Sequence, residues 1–147
     1  MKKIMFAFCV AAVAAILAAA ERNTPQASGE YAKLQAGEKV YAGNIAGVWT
    51  NGCAYAVNST TPSTGTLTVC GVFLHSAAKG EAVVAKRGGF VFANSSGAGA
   101  IAKKDIGATV YSVSGNAWTV TKTSGTKTVG KVVDVRDDGT VVVFIGN

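Results

Sequence analysis

The C-terminal end of the chain carries the pattern that most restricts its fold. Lys131-Val132-Val133-Asp134-Val135 and Thr140-Val141-Val142-Val143-Phe144 flank Arg136-Asp137-Asp138-Gly139. Runs of β-branched residues suit a pleated strand, and an Asp-Gly tip supplies the left-handed residue a tight hairpin needs. A second hairpin is predicted just upstream, with Thr109-Val110-Tyr111-Ser112-Val113 pairing with Ala117-Trp118-Thr119-Val120 across Ser114-Gly115-Asn116. Two adjacent hairpins commit this half of the chain to antiparallel sheet.

The same punctuation continues toward the N-terminus. Lys39-Val40-Tyr41-Ala42 is strand-like, and Gly47-Val48-Trp49 and Ala54-Tyr55-Ala56-Val57 form a hairpin candidate around Asn51-Gly52. Residues 58–65 are rich in Ser and Thr and contain Pro62, which predicts a surface loop. Residues 66–74 are apolar at successive positions, as in a strand covered on both faces. Residues 81–86 and 89–93 are predicted strands bent at Gly88-Gly89, where a bulge or close backbone approach is expected. Residues 100–106 fit one helical turn ending at Gly107. Strands about ten residues apart, separated by turn signals, predict an all-β fold. The expectation is one small β-barrel or β-sandwich of short antiparallel strands over residues 38–147, with an extended polar N-terminal arm over 21–37 interrupted by Pro25 and Gly29.

Length and charge bound the function classes. A chain of 147 residues is one domain's worth, and a charged fraction of 15% is too low for charge-driven disorder. The net charge of +6 is scattered as single lysines, and Lys2 and Lys3 contribute two of those charges. No arginine-rich stripe or basic stretch interleaved with aromatics is present, so no nucleic-acid partner is expected.

Residues 1–20 stand apart. Lys2-Lys3 precede an apolar run from Ile4 to Ala20, closed by Ala18-Ala19-Ala20 and Glu21, which is the form of a secretory signal peptide. Seventeen apolar residues are also at the short limit for a membrane span, so a leader would touch the membrane only transiently. The segment reads as a signal peptide, as the product of an upstream start codon, or as an alanine-rich N-terminal helix. Cys9 lies within it, leaving Cys53 and Cys70, which an exported protein could pair and a cytoplasmic one would keep as buried thiols.

Candidate chemistry is sparse. His75 is the sole histidine and is read as the edge of a strand, with no partner that sequence can place beside it. Ser95 and Ser96 lack a nucleophile-elbow context and are read as turn residues. Asp134, Asp137 and Asp138 lack the spacing of a calcium loop, and two cysteines with one histidine lack zinc-ligand spacing, so no metal is implied. Lys86-Arg87-Gly88-Gly89 lacks the Lys-Ser or Lys-Thr ending of a phosphate loop and is read as a solvated strand end; no cofactor motif is present. Lys103-Lys104-Asp105 is read as capping a turn. Asn58-Ser59-Thr60 and Asn94-Ser95-Ser96 match the glycosylation sequon, which matters only in a eukaryotic secretory pathway. Trp49 and Trp118 are core or interface anchors.

One longer pattern is more specific. Gly88-Gly89-Phe90-Val91-Phe92-Ala93-Asn94-Ser95-Ser96-Gly97 leads into Asp105-Ile106-Gly107 and Val110-Tyr111, preceded by Glu21-Arg22-Asn23-Thr24-Pro25 and Lys39-Val40-Tyr41-Ala42-Gly43. In this order the runs resemble Mu-like tailed-phage and prophage head proteins, related to the capsid decoration or cement proteins, from about Glu21 to the C-terminus. The resemblance implies a structural virion protein, not an enzyme, assembled in the host cytoplasm as an oligomer, often a trimer. Its implied partners are the major capsid protein or neighbouring particle subunits, with first contacts at Arg22, Asn23, Thr24 and Pro25. Such proteins usually begin just before the Arg-Asn-Thr-Pro stretch, which the apolar residues 1–20 do not match. Read without the resemblance, the chain would be an exported periplasmic or secreted β-domain that binds a surface or ligand.

Overall fold

The structure is a computed structural model and describes residues 30–61, 64–124 and 127–146. Ten strands follow in order: β1 (Tyr31–Gln35), β2 (Ile45–Trp49), β3 (Ala54–Ala56), β4 (Leu67–Phe73), β5 (Ala82–Lys86), β6 (Gly88–Asn94), β7 (Thr109–Val113), β8 (Asn116–Thr121), β9 (Thr128–Val135) and β10 (Val141–Ile145). The all-β class read from the sequence is the one observed. The strands divide into two units, a five-stranded sheet ordered β1-β5-β4-β2-β3 and a closed barrel ordered β10-β6-β8-β7-β9.

The local signals hold at the hairpins. β2 and β3 pair antiparallel with Gly47 opposite Tyr55. β7 pairs with β8, and β9 with β10, each with one irregular register step. Gly139 takes φ +85 at the tip between β9 and β10, the left-handed conformation that its hairpin requires. β4 lies between β5 and β2, with side chains buried on both faces. The predicted turn near residues 100–106 is two short 3-10 turns, Gly97–Gly99 and Lys103–Asp105.

Three features depart from the expected layout. Within the stretch read as a polar arm, 21–37, Tyr31–Gln35 is a strand that pairs antiparallel with β5, from Tyr31 opposite Lys86 to Gln35 opposite Ala82. Ala32 and Leu34 pack against the sheet's inner cluster while Tyr31, Lys33 and Gln35 face solvent, so an edge strand forms from a stretch that is mostly polar. The strand expected over residues 39–42 reduces to a single bridge, Val40 to Ala77. One barrel pair is parallel, β6 with β8, where Ala93 aligns with Thr119. The leader-like residues 1–20 and the arm residues Arg22, Asn23, Thr24 and Pro25 lie outside the described residues.

Two hydrophobic clusters explain how the units stand together. The smaller one is Ala36, Val40, Ala46, Ala54, Cys70, Phe73, Ala77, Val83 and Ala85, on the inner face of the five-stranded sheet. Its alanines leave room for the sheet to curl until its edges meet at a parallel bridge between Ala36 and Ala54, with Gly37 N–H donating to the Ala54 carbonyl at 2.8 Å. The larger cluster joins the outer face of that sheet, through Ile45, Trp49, Leu67 and Val72, to the barrel interior at Phe92, Val129, Val143 and Ile145. β4 serves both clusters: Leu67 and Val72 face the barrel while Cys70 and Phe73 face the sheet's own interior.

Barrel closure brings β9 and β10 into tight contact at Gly130, where a Cβ would collide with the Phe144 carbonyl oxygen, a backbone atom that cannot swing away. Gly130→Ala is expected to cost about 1–3 kcal/mol through overpacking, read as a lower denaturant midpoint at unchanged slope. Gly89→Ala, whose Cβ would meet open space, serves as the control and should move the midpoint far less.

Candidate functional site

Most of the residues singled out for chemistry have structural duties. His75 is exposed on a loop, its Nδ1 3.2 Å from the Ser76 carbonyl. Asp105 accepts from the Ala102 N–H at 2.9 Å, and that bond, helped by Lys122 and Lys104 against partial desolvation, holds its carboxyl below the ordinary range. Asp138 accepts from the Thr140 hydroxyl and N–H and is likewise lowered, chiefly by the hydroxyl bond. Asp137 pairs with Lys103 at 2.9 Å on the open surface, where such a pair contributes little. Asp134 is elsewhere, its Oδ1 accepting from the Val135 N–H, so the three aspartates do not converge. Among the described residues no group of three or more His, Cys, Asp or Glu could hold a metal ion.

The Asn94-Ser95-Ser96 turn is built around the Asn94 side chain, which accepts from the Ile101 N–H at 2.9 Å and donates to its carbonyl at 2.8 Å. That clamp fixes the loop over Gly99 and brings the Ser95, Thr121 and Thr123 hydroxyls around it. The Ser95 Oγ is buried without a hydrogen-bond partner among the described residues.

The two tryptophans have opposite roles. Trp49 is buried, its indole N–H donating to the Thr64 carbonyl at 2.7 Å and its ring edge-on to Tyr55 at 6.0 Å. Trp118 is 54% exposed on β8. It belongs to an apolar strip across the outside of the barrel, with Val91 on β6, Phe144 on β10 and Val133 on β9 also 44–52% exposed. They lie on four successively paired strands, β9, β10, β6 and β8. Val142 of β10 lies directly opposite Val91, and Phe144 opposite Gly89, whose missing side chain leaves that flank of the ring uncovered. Trp118 adjoins Thr119, the partner of Ala93 two residues beyond Val91. A cross-strand row of large exposed apolar groups is the kind of surface that marks a contact site. The sequence reading missed this strip. Its signal was the unbroken apolar run from Val141 to Ile145, which lacks the polar alternation of a strand with one wet face.

No family model, no curated protein and no solved structure matches the chain.

Cys53 and Cys70 are both free thiols in the structure. Cys70 donates to the Ala46 carbonyl at 3.5 Å, and burial pushes its pKa from 9.0 up to about 11, with Arg87 offsetting part of the rise. An unfolded chain releases this proton near pH 9 and the folded chain near pH 11, so the linked stability is fully present below pH 9 and is lost as pH rises toward 11. The expected loss is on the order of 2 kcal/mol, seen as a fall in denaturation midpoint over that range that is absent from Cys70→Ala.

Proposed function

We propose that this protein is a non-enzymatic structural subunit of a phage or prophage particle, decorating or stabilising its capsid. The residue runs that resemble phage head proteins supply the class of particle. The observation that carries the proposal into three dimensions is the exposed strip of Trp118, Val91, Phe144 and Val133 on a closed barrel wall. A shell-bound protein needs a stiff body and an apolar face to set against a neighbour. Barrel closure removes free strand edges from that wall, so contact there proceeds through side chains. Covering such a strip contributes about 25 cal/mol per Å² of apolar area.

The partners proposed are the major capsid protein and neighbouring copies, arranged as a symmetric oligomer such as a trimer around a local axis. Arg22, Asn23, Thr24 and Pro25 are assigned as a second contact. These residues precede β1 in the sequence, and an extended segment there would bind a neighbouring subunit by adding as a strand or lying in a groove. The proposed location is the virion, assembled in the host cytoplasm.

A second reading has its own support in Lys2-Lys3 followed by the apolar run Ile4 to Ala20: an exported β-domain that binds a surface or ligand.

Capsids assembled with and without variants separate the contributions. Trp118→Ser with Phe144→Ser should lower the stability by about 1–3 kcal/mol, since about half of each side chain is buried, while leaving the chain folded and lowering co-sedimentation with capsids at least tenfold. Deleting residues 21–29 should spare the β units and also reduce co-sedimentation. Full capsid binding by both variants would remove the support for these contacts.

A further inference from the structure

A second surface, away from the apolar strip, has the makings of a peptide slot. β5 pairs with β4 only at Val72 and Phe73, then turns away through Arg87 into β6. In the preceding part of β4, residues 67–70, Leu67, Thr68 and Val69 have ladder partners among the described residues on the β2 side alone, and Cys70 sits at a bulge. A strand edge left in this way presents unpaired backbone donors and acceptors, which in other settings are capped by a further strand. Here the edge borders a groove of about 340 Å³ whose other wall is Thr128, Val129 and Gly130 of β9 with Ile145 and Gly146 at the end of β10.

The groove has a consistent chemistry. Val69 supplies partly exposed apolar surface over the buried Leu67, Val129 and Ile145, and Arg87 and Lys127 are the charged groups among the described residues that line it. Among the described residues no carboxylate lines it and neither cation is in a salt bridge. Four residues of open edge offer roughly 13 Å of ladder at about 3.3 Å per residue, enough for a short extended segment. In such a segment alternate side chains face opposite ways, so apolar groups would meet the groove surface while acidic groups meet the cations.

From this juxtaposition we infer that the groove is a docking slot for an extended, acidic segment of a partner protein, which adds as a strand to the open edge of β4 between Arg87 and Lys127. The inference is independent of the particle reading, since any partner carrying such a segment satisfies it. The apolar surface and open strand edge favour a peptide over a nucleic acid, whose phosphates would use the two cations alone.

The probe is a blocked, fluorescein-labelled peptide alternating valine and glutamate, titrated into the full chain and followed by anisotropy and by amide hydrogen exchange. The result expected is saturable binding that slows exchange of the amides in residues 67–70. Arg87→Glu with Lys127→Glu should weaken it at least tenfold, as should N-methylation of alternate peptide amides, a change that leaves the protein untouched. A valine–lysine peptide should not bind. Absence of saturable binding at millimolar peptide would overturn the inference. So would undiminished binding of the N-methylated peptide, tighter binding of oligo-dT than of the peptide, or protection in the free chain of those amides in residues 67–70 that point away from β2.

Discussion

The packing of Ile45, Trp49, Leu67 and Val72 against the open end of the barrel is the contact on which the rest of the molecule depends. The first five-stranded unit has little interior of its own. The first sheet is lined largely by alanines, and its largest inner side chains are Phe73, Val40 and Val83. Burial per residue is what small domains lack, and sharing one cluster between two units lets a chain of this length bury both faces of β4. Both faces of that strand are therefore committed, and its free surface is only its edge. Large apolar groups that find no place in the shared cluster are left on the barrel wall.

The same arrangement sets where the molecule can meet others. On the barrel, every strand is paired on both sides, so the contact proposed there falls to side chains such as Trp118 and Phe144. At the junction, β5 leaves its sheet to begin the barrel, so an edge opens that the fold does not cap. The two surfaces differ in kind: one is apolar and backbone-silent, the other is backbone-rich and cationic. A body that offers both can be held by a rigid neighbour and a flexible segment at once.

Much of this was legible in the sequence wherever the determining interaction is local. The hairpins around Asn51-Gly52, Ser114-Gly115 and Asp138-Gly139 follow from turn chemistry a few residues long, and β4's double burial follows from its continuous apolar run. What was not legible is non-local. The Ala36–Ala54 bridge, the parallel alignment of β6 with β8 and the recruitment of Tyr31–Gln35 as an edge strand all depend on partners far along the chain. The tryptophans make the same point, since nothing local distinguishes Trp49, which finds the Thr64 carbonyl, from Trp118, which faces solvent. Arg22 to Pro25 stand on the resemblance alone.

The central claim is that this chain is built into a particle, and peptide mass spectrometry of particles purified from the induced source bacterium tests it most directly. The account predicts the protein at high copy in those particles, with its peptides rising and falling with the major capsid protein across a density gradient. Recovery only from periplasm or medium, as a chain beginning at Glu21, would contradict it and would identify residues 1–20 as a cleaved export signal.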